Sequence, residues 1–150
     1  MILEINHLSF TVSDLTRSVR FYEAVVGLQC VSLAGRDREF CERVTGIAGA
    51  EMRIAYMQAP NCAIELIHNL TPAGSKIDTR TCNIGSAHAC FVVEDFHSFL
   101  DRLSGAGVAL NGEVAIVPAG PNKGRGVAYF RDPDSNNLEV FSSKPITARA

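Results

Sequence analysis

The sequence lacks a charge excess of either sign: 14 lysines and arginines face 16 aspartates and glutamates, for a formal net charge of −2. Without a basic stripe it carries no electrostatic footprint for a nucleic acid. It also lacks any apolar run near the ~20 residues of a membrane-spanning helix. Its first residues, Met1-Ile-Leu-Glu-Ile-Asn-His7, meet an acid too early for the apolar core of a secretion signal. No membrane partner is expected, and the expected compartment is the cytoplasm. The five cysteines, Cys30, Cys41, Cys62, Cys82 and Cys90, are odd in number and scattered, with no C-x-x-C pair. That pattern fits reduced thiols, most of them small core residues, better than a disulfide framework or a zinc knot. What is present is an ordinary globular balance, 47% hydrophobic residues with a mean hydropathy of +0.10. It argues against extensive disorder and for one domain, or two small modules sharing a core.

An internal repeat organises the chain. His7-Leu-Ser-Phe-Thr-Val-Ser-Asp14 and His88-Ala-Cys-Phe-Val-Val-Glu-Asp95 align without a gap, each reading as a strand that ends in an acidic cap. Helical spacing follows both copies, through Leu15, Val19, Tyr22 and Val26 in the first and Phe96, Phe99, Leu100 and Leu103 in the second. Gly27 closes the first helix, and Gly105 or Gly107 the second. Apolar, β-rich runs then occupy 28–34, 51–58 and 62–69 in the first half, and 108–117, 125–131 and 137–142 in the second. Each half reads β-α-β-β-β, so the expected class is α+β, with module one at about 4–70 and module two at about 86–143. Arg36–Thr45 reads as an insertion with a short extra helix, and the polar stretch near 70–85 as the connection.

Several polar residues stand where strands should be apolar. Alternation in the first strand puts Leu8, Phe10 and Val12 on one face and His7, Ser9 and Thr11 on the other, the expected cavity wall. In the repeat, Ala89, Phe91 and Val93 oppose His88, Cys90 and Val92, so His7 and His88 are equivalent. Either histidine alone could be a hydrogen-bonded core or rim residue. Glu65 and Glu139 are lone acids in the last strand of each module. A carboxylate left unpaired in an apolar strand costs several kcal/mol, so such a group pairs, binds a metal, or points to solvent from an edge. The doubled pattern of first-strand His and last-strand Glu favours the metal. Two imidazoles and two carboxylates suit a divalent first-row ion, and four protein ligands on an octahedral ion leave two positions for substrate oxygens.

These residues, with Phe21-Tyr22, Gly27-Leu28, Ala63-Ile-Glu-Leu66, Tyr129-Phe-Arg-Asp-Pro-Asp134 and Asn137-Leu-Glu-Val140, resemble the vicinal oxygen chelate superfamily across about 5–142. That superfamily includes glyoxalase I, methylmalonyl-CoA epimerase, fosfomycin-resistance thiol transferases, extradiol dioxygenases and bleomycin-binding proteins. The resemblance implies two β-α-β-β-β modules forming a curved mixed sheet around a metal-binding cleft, with His7, Glu65, His88 and Glu139 as ligands. The occupied set looks most like glyoxalase I and related isomerases. It implies a homodimeric, metal-dependent lyase or isomerase that abstracts a proton next to a carbonyl and stabilises an enediolate or enolate. One divalent ion per site is implied: Ni, Co, Zn, Mn, Mg or Fe. Glu139 is the expected base and Glu65 the partner that returns the proton to a small-molecule substrate. Asn69 matches a glutathione-contacting asparagine, and the loop carrying Lys123 and Arg125 matches a basic substrate loop. Thr11 stands where glyoxalase I has a glutathione-binding arginine. Ser135 stands where the superfamily usually has glycine, with Asn136 expected to supply the left-handed turn. The alternatives are an Fe(II) extradiol-type dioxygenase using His7, His88 and Glu139, a thiol transferase, or a non-catalytic drug-binding dimer.

Overall fold

Three aspartates start the three helices. In the computed structural model, which describes residues 1–147, Asp14 accepts a hydrogen bond from the Arg17 N–H, Asp37 from Phe40 and Asp95 from Ser98. Each satisfies a backbone donor that the first turn would leave orphaned. The elements run β1 (His7–Thr11), α1 (Leu15–Phe21, continued by a π-helical turn over Tyr22–Val26), β2 (Gln29–Arg36), α2 (Arg38–Thr45), β3 (Glu51–Gln58) and β4 (Ala63–Thr71). There follow β5 (His88–Val93), α3 (Phe96–Gly105), β6 (Ala115–Ile116), β7 (Arg125–Arg131) and β8 (Asn137–Pro145). Gly27, at φ 89°, ends the first helix in the left-handed conformation. The widening of that helix at Tyr22 departs from the uniform α spacing of the sequence. It lets Tyr22, Val25 and Val26 all be buried.

The chain divides into two compact units, Met1–Ile77 and a second from Asp78 onward. Each holds a four-stranded mixed sheet, ordered β1-β4-β3-β2 in the first and β5-β8-β7-β6 in the second. In both, the first and last strands of the module pair in parallel and the remaining ladders are antiparallel. The Glu-bearing strands β4 and β8 are therefore interior strands, so neither glutamate is an edge residue. Among the described residues no helix is long and apolar enough to cross a membrane.

In the first unit, buried Ala55, Met57, Ile64 and Leu66 alternate with Tyr56 and Glu65, and α1 packs on β3 and β4. The inserted α2 packs Cys41 on Ala50, Met52 and Ile54, with Tyr56 and Ile67 against the same cluster. In the second unit, Phe96, Phe99 and Leu103 of α3 are buried along with Ala128, Phe130, Leu138 and Val140 of β7 and β8. The buried Asn137 amide donates to Ser86 Oγ at 3.1 Å and to the Thr79 carbonyl, tying the connecting segment to β8.

Three expectations are corrected. The face of Leu8, Phe10 and Val12 is not uniformly buried: Val12 is buried, Phe10 half-buried and Leu8 44% exposed, on an edge strand. The run at 108–117 yields only the two-residue β6 and one bridge, Leu110 to Phe130. Gly112 interrupts it and Pro118 ends it, and both are poor strand formers. The left-handed turn residue is Ser135 itself, at φ 72°, and not Asn136. The Ser135 N–H donates to the Asp132 carbonyl, while the Asp132 carboxylate accepts from Asp134 N, Asn136 N and Asn136 Nδ2 at 2.8–2.9 Å.

Two stability predictions arise in this turn. Ser135→Gly removes the steric cost of a Cβ at positive φ and is expected to stabilise the fold by about 0.5–1 kcal/mol in urea unfolding. No gain would refute the strain assignment. Asp132 is 5% exposed, and burial pushes its carboxyl above the ordinary 3.8 despite its donors. A raised folded-state value means a contribution fully present below 3.8 and lost as pH rises through the folded value. The stability difference between wild type and Asp132→Asn is expected to shrink as pH rises above 3.8. A pH-independent difference would contradict it.

Candidate functional site

Strand register builds the same constellation twice. In the first unit, Glu65 has Ser9 directly opposite on β1 and Tyr56 directly opposite on β3, so all three share a face with His7. Glu65 is only 6% exposed. Its Oε2 accepts a hydrogen bond from Ser9 Oγ and lies 3.4 Å from His7 Nε2. The His7 and Tyr56 rings meet edge to face at 5.6 Å. In the second unit, Glu139 has Cys90 opposite on β5 and Tyr129 opposite on β7. His88 Nε2 lies 3.2 Å from Glu139 Oε2 and 3.3 Å from the Tyr129 hydroxyl, with the two rings 5.1 Å apart.

The hydroxyls and the thiol in these constellations stay protonated. A hydrogen bond to Glu65, reinforced by burial, raises the Tyr56 hydroxyl, and burial with the Glu139 charge raises Tyr129. Burial, then the hydrogen bond to Glu139, pushes the Cys90 thiol up to about 12. At neutral pH they are donors to the carboxylates, not bases or nucleophiles.

Sequence reasoning singled out His7, Glu65, His88 and Glu139; it put Ser9 on the face of His7 and Cys90 on that of His88 without giving either a role, and it did not bring Tyr56 or Tyr129 to the glutamates. The gapless repeat already superimposes Ser9 on Cys90. The tyrosines become visible only once β3 and β7 are in register with β4 and β8. A further unforeseen residue is Arg36, opposite Met52 on the face of Tyr56 and interacting with the Tyr56 hydroxyl. Asn69 and Thr11 lie on Glu65's face, the former partly buried and the latter exposed. Lys123 is exposed in the turn before β7. Arg125 is engaged within its own unit, donating to Asn122 Oδ1 at 2.9 Å and to the Ser143 carbonyl at 2.8 Å and stacking over Phe141.

The two pairs have the donor chemistry of metal ligands. His7 Nδ1 lies 2.8 Å from Asn6 Oδ1. If its proton goes there, the Nε2 lone pair and the Glu65 carboxylate converge with no proton between them. Ligand atoms about 2.1 Å from one ion are about 3.0 Å apart at a right angle and about 3.4 Å apart at a tetrahedral angle. The observed 3.2 Å and 3.4 Å fit that range. Each pair lies within its own unit, and among the described residues no three His, Cys, Asp or Glu side chains gather as a metal cluster.

This doubled arrangement agrees with comparison to known proteins, where residues 4–140 match the Glyoxalase/Bleomycin resistance protein/Dioxygenase superfamily. The chain belongs to that superfamily. Among superfamily relatives, a probable lactoylglutathione lyase of Vibrio parahaemolyticus serotype O3:K6 (strain RIMD 2210633) is 25% identical over 146 residues, covering 95% of this chain and 92% of the relative. A 2-epi-5-epi-valiolone epimerase of Actinomyces sp. is 26% identical over 143 residues, covering 92% and 78%. The crystal structure of a glyoxalase family protein from Bacillus cereus superposes with a TM-score of 0.80 at 27% identity, covering 95% of each chain. The two mixed sheets with few helices are thus the tandem β-α-β-β-β fold of the glyoxalase superfamily.

Proposed function

We propose that the protein is a metal-dependent lyase or isomerase that removes a proton from the carbon next to a carbonyl. The observation that carries this reading is the repeated His–Glu pair, with ligand atoms 3.4 Å apart in one unit and 3.2 Å apart in the other. On this reading His7, Glu65, His88 and Glu139 hold one divalent ion per site, Ni, Co, Zn, Mn, Mg or Fe. The ion supplies charge stabilisation for the oxyanion that forms as the proton leaves. Glu139 takes the proton, and Glu65 returns it to the opposite carbon or face. Tyr129 and Tyr56 keep water from solvating the carboxylates freely, which favours proton uptake. The lyase and epimerase names of the two relatives support this class of reaction.

Thr11 and Asn69, on the face of Glu65, are the proposed substrate contacts, and the exposed Lys123 of the second unit is proposed as a further one. Arg125 would shape the wall through Phe141 instead of binding substrate charge directly. The five free cysteines suit a reducing compartment, and we place the protein in the cytoplasm.

The test is metal analysis of protein purified without chelators, followed by solvent-deuterium incorporation with a hemithioacetal, a 2-methyl-branched acyl-CoA and a catechol side by side. Deuterium in either carbonyl substrate, dependent on the metal, is the expected result. Oxygen uptake with the catechol, dependence on Fe(II) and no deuterium would replace the reading with a ring-cleaving dioxygenase. Ligand binding without metal or turnover would make it a binding protein.

A homodimer is also proposed. The edge strands carry exposed apolar side chains: Leu8 at 44%, Val31 at 54% and Val92 at 60%. Sedimentation equilibrium is expected to give twice the 16.2 kDa chain mass at micromolar concentration, and a lone 16.2 kDa species would refute it.

A further inference from the structure

The two constellations match in every member but one. Histidine answers to histidine, tyrosine to tyrosine and glutamate to glutamate, whereas the residue opposite the glutamate is Ser9 in the first unit and Cys90 in the second. Both are donors on a parallel neighbouring strand, at the same place in the register. Their strengths differ: a hydroxyl to a carboxylate is a charge-assisted hydrogen bond of the stronger kind, and a thiol is a weak donor. Ser9 Oγ donates to Glu65 Oε2, the oxygen that also faces His7. Tyr56, directly opposite on β3, faces Glu65 from the other side. Glu139 faces the Cys90 thiol, directly opposite on β5, and a Tyr129 hydroxyl that also lies 3.3 Å from His88 Nε2.

We propose that Ser9 and Cys90 are positioning residues that make the two glutamates unequal, Ser9 locking Glu65 in its ligating orientation and Cys90 leaving Glu139 free to turn. The inference rests on the metal-ligand reading proposed above and deepens it. A carboxylate already fixed by a hydroxyl surrenders little orientational freedom when it coordinates an ion. One faced by a thiol surrenders more, and it can swing away to meet a substrate proton. Outer donors of this kind set metal affinity as well as ligand direction. Serine at both positions would freeze both carboxylates, and the chain instead carries the softer donor on one side only.

The experiment uses the full chain, with Co(II) as the probe metal and affinity read by competition with a chromophoric chelator. Ser9→Ala is expected to weaken Co(II) binding by about 10-fold to 100-fold, and Ser9→Thr, which keeps the hydroxyl, to restore it. Cys90→Ala is expected to weaken binding less than Ser9→Ala does. Cys90→Ser is expected to tighten Co(II) binding and to slow solvent-deuterium exchange in the best substrate of the panel. Thermal unfolding checks folding of each variant. Should Ser9→Ala fail to fold, Ser9→Cys replaces it, with weaker Co(II) binding than wild type expected. Equal losses from Ser9→Ala and Cys90→Ala, no rescue by Ser9→Thr, wild-type affinity in Ser9→Cys, or no tightening in Cys90→Ser each overturn the proposal while leaving the metal site standing. Wild-type protein that binds no Co(II) sinks the metal reading itself, and the positioning roles with it.

Discussion

Glu139→Gln is expected to leave the fold intact and to cut turnover by about 10²-fold to 10⁴-fold, with a much smaller change in KM. The carboxamide can still coordinate through its oxygen and still accept from Cys90, but it cannot take a proton. Glu139 sits on an interior strand with its side chain 14% exposed, so water is a poor substitute base. Glu65→Gln is expected to be milder if Glu65, held by Ser9, mainly coordinates, because the carboxamide keeps an oxygen ligand; a loss as large as that of Glu139→Gln would mean that its proton-returning role limits turnover. Some loss of metal affinity accompanies both. The measurement is the rate of solvent-deuterium entry at saturating metal, which separates proton transfer from ion binding. A loss in Glu139→Gln well below the expected range would remove Glu139 from the base role.

Phe130→Ala is expected to remove about 3–5 kcal/mol of stability, a large share of the roughly 5–15 kcal/mol of a typical domain. Phe130 is fully buried on β7, with its ring 5.8 Å from Phe99 of α3 at an interplanar angle of 63°. Leu138, directly opposite on β8, and Ala128 and Val140 on the same face are themselves buried, so filling the space requires packed strands to shift. Phe130 also alternates with Tyr129, so loosening β7 withdraws Tyr129 from Glu139 and His88. Urea unfolding followed by circular dichroism measures the loss. A change under about 1 kcal/mol would mean that the core relaxes around the gap.

The parts of this fold that were legible in the sequence are those fixed by local chemistry. Asp14 and Asp95 cap helices where a short acid follows an apolar strand, and Gly27 ends the first helix where only a left-handed residue fits. The runs at 51–58 and 125–131 coincide with β3 and β7, because periodicity there meets no competing turn signal. The inserted helix was visible in Phe40, Cys41 and Val44, although only Cys41 is buried. Relations that depend on register across strands were not legible. Nothing local tells Tyr56 that it will face Glu65, or Arg125 that Asn122, Ser143 and Phe141 will engage it. His7 and Glu65 stood out because each breaks an apolar pattern. Ser9 and Cys90 did not, being small residues that a strand tolerates without comment.

The parallel pairing of first and last strands has a consequence for how the protein comes into being. Ser9 and Glu65 lie 56 positions apart, and among the described residues β1 pairs in its sheet with β4 alone. Closing such a long loop must precede any reward from the contacts it brings, so this topology folds slowly compared with helical bundles of similar size. During synthesis, His7 emerges early yet meets Glu65 only after β2, α2 and β3 have left the ribosome. The second unit repeats the wait, with β5 idle until β8 arrives. The two His–Glu pairs are therefore among the last contacts to form, and in a nascent or half-folded chain each histidine stands apart from its glutamate.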